Sequence, residues 1–345
     1  MRTMLNCRYA SSSQTEQQRA HAWQPARSPA RWLAVLLAAG YLPNASTGAT
    51  YLLPPAGENV LGETLRVLAR QEDTLLDVGR RHGVGYEEIV AANPRVDPWL
   101  PGEGREVLIP SRYILPDAPR EGMVISLAEH RLYYFPKPQA GEPASVITYP
   151  ISVGKMDWVT PLGVTRIVDK RVKPVWYPPE SVRKEHEAEG RPLPKAVPPG
   201  PDNPLGDYAM RLDIPGGAYL IHSTNRPAGV GMQVTHGCIR MYPEDIEELF
   251  RAVPVKTLVR IVNQPYKTGW KDDDLYVEVH SPLEGQESDG LSLTGVTRML
   301  VEATQGLESI AIDWAKAEQA FLHPTGVPER VMLRPGGPEV AETAR

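Results

Sequence analysis

The chain has 345 residues, 41% of them hydrophobic and 23% charged, with a formal net charge of −5. That length can bury more than one core, and that balance excludes a disordered or fibrous chain and lacks the basic footprint of a nucleic-acid binder. The 35 prolines predict loops and edge strands, hence a mainly β fold rather than a helical bundle.

Arg27 and Arg31 precede an apolar run from Trp32 to Leu42, followed by the small residues Ala45-Ser46-Thr47-Gly48-Ala49. This order of basic, apolar and small-residue regions predicts an export signal over 1–49. The apolar run is too short to cross a bilayer, so no transmembrane anchor is expected once the signal is removed. Cys7 and Cys238 are the only cysteines. Cys7 would leave with the signal, and a single thiol in an oxidising compartment is either a buried bystander or a reactive group.

From 64 to 112 a small unit is expected. Leu65-Arg66-Val67-Leu68 reads as a strand, Asp73 to Val78 as a capped helix start, and Tyr86 to Ala92 as a second helix stopped at Asn93-Pro94. Val107-Leu108-Ile109 reads as the last strand. From 121 to 265 strands dominate: Met123–Leu127 and Leu132–Phe135 as a hairpin, then Val146–Val153, Val164–Val168, Ala218–His222 and Leu258–Val262. One helix is clear there, with Pro243 in its first turn and Ile246, Leu249 and Phe250 on its apolar face. Nine prolines fall between Pro174 and Pro204, around the charged stretch Arg183 to Arg191. A loop that long is a functional lid or a disordered insertion, and its place before the strand bearing His222 favours a lid. In the extension 266–345, Leu300, Ala303, Leu307, Ile310, Trp314, Ala317 and Phe321 recur at spacings of three and four. They predict one amphipathic helix of about six turns. It is expected to pack on the strand-rich domain at 121–265 rather than dimerise, because it makes a weak coiled coil.

The stretch Thr235-His236-Gly237-Cys238-Ile239-Arg240, with His222 sixteen residues before the cysteine, carries the chemistry. A thiol is mostly protonated at neutral pH and needs an imidazole to take its proton; His222 and His236 both qualify by type. Gly237 leaves nearby N–H groups free to face an oxyanion, and Arg240 offers a two-pronged donor for a carboxylate. The other readings are an inert buried Cys238, a zinc site from His222, His236 and Cys238, or a non-catalytic binding protein. His82, His130, His186, His280 and His323 show no mutual spacing of a site.

These residues resemble the catalytic domain of the L,D-transpeptidases, the YkuD or ErfK/YbiS family. So do Gly154-Lys155-Met156, Thr160 to Gly163, Ile221 to Asn225 and Arg240 to Pro243. The resemblance covers 121–265 and implies a YkuD-like β-sandwich. It implies Cys238 as nucleophile, His222 as base, and the Ser223 carbonyl as orienter of the imidazole. N–H groups of His236, Gly237 and Cys238 would form the oxyanion pocket, and Arg240 would hold substrate or the site; Thr235 belongs to the signature without a certain role. No metal or cofactor is required. The implied reaction acylates the cysteine with a peptidoglycan tetrapeptide stem, releases D-alanine and transfers the acyl group to an amine. A hydrolase or L,D-carboxypeptidase using water remains the alternative.

The β-α-α-β unit at 64–112 resembles a LysM module, through Glu72 to Leu75, His82 to Val84, Ala92 to Pro94 and Gly102 to Pro110. Glu72 stands where that family usually has glycine. The likeness implies binding to peptidoglycan glycan chains and, with the export signal, a periplasmic enzyme. Two acceptors stay open: a diaminopimelate amine of another stem, or the C-terminal lysine of an outer-membrane lipoprotein. The layout resembles the subgroup that attaches Braun-type lipoprotein.

Overall fold

The computed structural model describes residues 48–156, 158–286, 291–307 and 311–333. The expected signal, with Cys7, lies outside the described residues except at its very end. There β1 (Ala49–Leu52) is a paired strand, Ala49 opposite Thr148.

After β2 (Val60–Gly62) comes the β-α-α-β unit: β3 (Leu65–Leu68), α1 (Leu75–Arg81), α2 (Tyr86–Ala92) and β4 (Glu106–Ile109). Thr74 caps α1 reciprocally with Asp77, whose N–H donates to the threonine hydroxyl at 3.2 Å. Asn93 ends α2 and donates its amide to both Ile89 O and Leu108 O at 2.8 Å, fastening the helix to β4. Leu75, Val78, Ile89, Val107 and Ile109 close a core of their own. β5 (Arg112–Ile114) pairs back on β2, framing the unit with a ribbon the sequence reading did not show.

The next strands are β6 (Gly122–Ser126), β7 (Arg131–Phe135), β8 (Ser145–Pro150) and β9 (Val153–Gly154). Pro150, which has no N–H to donate, closes β8, and the expected strand Val146–Val153 is thereby split in two. β10 (Gly163–Val172), α3 (Glu180–Ala188), β11 (Tyr208–Leu212) and β12 (Leu220–His222) follow. Then come β13 (Gln233–Thr235), β14 (Ile239–Arg240), α4 (Pro243–Ala252) and β15 (Leu258–Val262). The strand order is β1-β8-β7-β6-β15-β10-β11-β12-β14. β10 serves both halves: its start pairs with β15 and its end with β11, with an irregularity between Ile167 and Asp169. The halves face a shared core that joins Met123, Ile125 and Leu132 to Met210, Ile221 and Ile239, with Ile246 and Leu249 of α4. The fold is mainly β.

The C-terminal part corrects the expectation of one long helix. β16 (Tyr266–Lys271) and β17 (Asp274–Val279) form a hairpin, followed by α5 (Leu293–Ala303), β18 (Ala311–Ile312), α6 (Trp314–Leu322), β19 (Glu329–Arg330) and β20 (Met332–Leu333). Thr304 caps α5, Gly306 adopts φ +80°, and Asp313 starts α6 by accepting from Lys316 N at 3.0 Å. The spacing misled because both helices face one core. Val296, Leu300 and Ala317 pack on Leu275 and Val277 of their own sheet, not on the catalytic domain. No helix among the described residues is long and apolar enough to cross a membrane.

Buried charges join these parts. Arg131, wholly buried, donates to both Glu88 carboxylate oxygens at 2.7 and 2.9 Å and lies over the Tyr113 ring. Lys267 sits 2.8 Å from Glu129 and 2.8 Å from Glu278, and His280 Nε2 lies 2.7 Å from the latter. Burial opposes the Lys267 charge, but the two carboxylates outweigh it and hold the ammonium above its ordinary range.

Candidate active site

β12 and β14 run parallel, with Ile221 opposite Ile239 and His222 opposite Arg240. The two isoleucines enter the core, so strand alternation turns His222 and Arg240 to the other face. Cys238, one residue before β14, shares that alternation with Arg240. A histidine and a cysteine far apart in sequence are thus brought to one face of one edge of the sheet.

The turn carrying the cysteine is held by two hydroxyls. Buried Thr235 donates to Cys238 O at 2.5 Å, and Thr160 donates to Gly237 O at 3.1 Å. Gly237 lies at φ +88°, and a Cβ there would stand 3.1 Å from the Tyr219 ring, so glycine is needed for conformation and for space.

The two histidines differ. His222 is buried, and its Nδ1 lies 2.6 Å from the carbonyl oxygen of Ser223. A carbonyl only accepts, so Nδ1 carries the proton and Nε2 keeps a lone pair. Burial, then the Arg240 charge, push His222 down to about 3. Burial also pushes the Cys238 thiol up, against the Leu220 N–H and Arg240, and the thiol hydrogen faces Ala218 O at 3.7 Å. At neutral pH the resting pair is a thiol and a neutral imidazole. His236 instead has its Nε2 against Glu185 at 2.8 Å, with its ring edge-on to Trp158.

Glu185 comes from α3, inside the proline-rich segment, and also binds Lys155 at 2.7 Å. Those two hydrogen bonds, Lys155's first, hold its carboxyl down at about 2. The segment is ordered over the site: Trp176 and Val197 bridge, and buried Asn203 donates to Pro174 O at 2.8 Å. With Trp158, Tyr177, Val182 and Tyr219 it walls a cleft of about 460 Å³ that reaches His222, Cys238 and Arg240. The buried Nε of Arg240 has no hydrogen-bond partner.

The donors proposed for zinc, His222, His236 and Cys238, are not gathered into a cluster. Among the described residues the metal-type cluster is Glu129, Glu278 and His280, with ligand atoms within 4.8 Å of one another. Lys267 already places its ammonium between the two carboxylates there.

The L,D-transpeptidase catalytic domain family, YkuD, matches residues 120–261. The Escherichia coli (strain K12) protein named "Probable L,D-transpeptidase YcfS" is 42% identical over 252 residues, covering 72% of this chain and 78% of that protein. The Salmonella typhimurium (strain LT2) protein named "Probable L,D-transpeptidase ErfK/SrfK" is 36% identical over 303 residues, covering 84% and 94%. The chain belongs to the L,D-transpeptidase family. Among solved structures, L,D-transpeptidase 3 from Mycobacterium tuberculosis aligns with TM-score 0.30 at 20% identity, over 46% of this chain and 67% of that one.

L,D-transpeptidases act on peptidoglycan. Sequence reasoning missed Trp158 and Tyr219, which line the cleft, and Glu185, which pairs with His236. Glu185 is 51 residues from His236 in the chain. Its charged stretch is visible, but nothing local singles out which of its acids meets the motif.

Proposed function

We propose that this chain is a cysteine L,D-transpeptidase with Cys238 as nucleophile and His222 as general base. The observation that carries this is the neutral imidazole fixed by the Ser223 carbonyl, on the sheet face it shares with Cys238. In the first half-reaction the thiol proton passes to His222 Nε2 as sulfur bonds to the carbonyl carbon before the terminal D-alanine. N–H groups of the Gly237–Cys238 turn face the oxyanion. The carbon–nitrogen bond breaks, and D-alanine leaves with the proton from His222. An amine then attacks the thioester, gives its proton to His222 and restores the thiol. The Arg240 guanidinium, whose Nε has no hydrogen-bond partner, suits a substrate carboxylate nearby.

In this reading the β-α-α-β unit is a LysM-type anchor on peptidoglycan glycan chains and the enzyme works in the periplasm. The acceptor is a lipoprotein lysine or a diaminopimelate amine. A carbapenem, a strained acyl donor, supplies the test. Intact mass should show one adduct, mapped to Cys238 and absent in Cys238→Ala; an adduct that survives the substitution defeats the assignment. With a disaccharide-tetrapeptide and a lysine-ended peptide, conjugate marks attachment and dimeric muropeptide marks cross-linking. Free tripeptide alone marks the carboxypeptidase.

A further inference from the structure

The first turn of a helix exposes N–H groups that find no partner within the helix. In α2 the N-cap N–H is satisfied by the helix's own Glu88, and the next two are satisfied from outside. Gly85 N donates to the Glu88 carboxylate at 2.8 Å, Tyr86 N to Val230 O at 3.2 Å, and Glu87 N to Gly231 O at 3.1 Å. Val230 and Gly231 belong to the loop that runs directly into β13 and the Cys238 motif. The approach is as close as backbones allow: a Cβ on Gly85 would lie 2.7 Å from Gly231 Cα. Beside it, Gly229 O accepts from Ser152 Oγ at 2.7 Å, and a Cβ on Gly229 would stand 3.4 Å from an Arg240 guanidinium nitrogen.

The same unit also grips the far end of the motif. Arg80 of α1 donates to both oxygens of Glu244 in α4, at 2.8 and 2.9 Å, and its guanidinium lies over the Tyr242 ring. Tyr242 caps α4 and follows Arg240 by two residues. The chain segment from Val230 to Glu244, with Cys238 in its middle, is therefore fastened at both ends by one separately cored unit.

We infer that the β-α-α-β unit is a positioning element of the active site, setting the segment that carries Cys238 as well as serving as an anchor. Gly85, Tyr86 and Arg80 are its positioning residues. The inference rests on the proposed role of Cys238.

The test variant is Gly85→Ala in the full chain. Gly85 has φ −80°, open to any residue, so the added methyl brings no backbone strain and acts as a wedge against Gly231. Tyr86→Pro is the second variant. Proline suits the first helical position and removes the N–H given to Val230, together with the ring packed against Trp99, for which Tyr86→Ala is the control. In each variant, shown folded by a cooperative melt, alkylation of Cys238 by iodoacetamide is followed by peptide mapping across pH. The expected result is alkylation slower by about tenfold with its pH midpoint moved up, as the thiolate loses aligned donors. On a soluble disaccharide-tetrapeptide, kcat should fall by a similar factor with KM within about twofold. A folded Gly85→Ala or Tyr86→Pro protein with the wild-type alkylation profile overturns the inference. Alkylation reads the thiol itself. Failure of the catalytic reading shows separately, as a wild-type protein that releases no D-alanine.

Discussion

Two charged clusters, built from the same residue types, do opposite things. At the junction of the parts, the Arg131 and Glu88 side chains are 0% and 8% exposed, and Lys267 and Glu278 are 4% and 0%. Over the cleft, Lys155, Glu185 and His236 are each about one third exposed. In the dry cluster a lost partner leaves a charge that water cannot reach, so the cluster locks the parts together. In the wet one, water replaces either partner at little cost, so these pairs hold α3 only weakly. Exposure, not pairing, separates a lock from a latch.

The largest effect expected is on chemistry, where neither cluster acts directly. His222→Gln should slow acylation of Cys238 by about 10²- to 10⁴-fold, the usual worth of a general base. Mass-spectrometric time courses on the folded protein will measure it, and a loss under about tenfold would return the base role to His236. Next comes the lock. Arg131→Met strands the Glu88 carboxylate and should cost about 3–5 kcal/mol in urea unfolding, most of it recovered in Arg131→Met/Glu88→Leu. Failure of the double variant to recover would make the arginine's packing on Tyr113, rather than its charge, the source of the loss.

Acid titration sharpens the comparison further. His222 is held neutral, its folded value near 3 against 6.5 for an ordinary histidine. Between those values the unfolded chain binds the extra proton, so this group's contribution is full above pH 6.5 and is lost as pH falls to about 3. Denaturation series at several pH values should show a shallower acid slope for His222→Gln than for the parent; equal slopes would mean the imidazole is not desolvated.

The smallest effect belongs to the latch. Glu185→Gln should change stability by at most about 1 kcal/mol, as exposed pairs do, while raising KM for the tetrapeptide a few-fold if α3 orders the cleft. Glu185 is held near 2 against an ordinary 4.5, so whatever it contributes is full above pH 4.5 and lost only as pH falls through about 2. A loss of several kcal/mol at neutral pH would place this cluster with the lock.

The strands and helices with local signals were legible. Tyr86 to Ala92 ends at Asn93-Pro94, α4 begins at Pro243, and Leu258 to Val262 is an apolar run, and each appears with those bounds. β11 and the C-terminal sheet were not, because their partners lie far away and pairing, not local pattern, stabilises them. The helix read from Leu300 to Phe321 failed for a related reason. Periodicity reports which face meets a core, and two helices on one core keep the same rhythm through the break at Gly306.

By itself the sequence determined the family and its cysteine motif, since thiol, imidazole and glycine at those spacings leave few other uses for them. It also determined the β-α-α-β order, through caps and breakers that act within a few residues. The tertiary structure decided which histidine has its Nδ1 held by a backbone carbonyl, which acid pairs with His236, and that α2 caps itself on the loop leading to Cys238. Those depend on hydrogen bonds and burial between segments far apart in the chain, where the energy of a contact is set by the distance from water and not by neighbours in sequence.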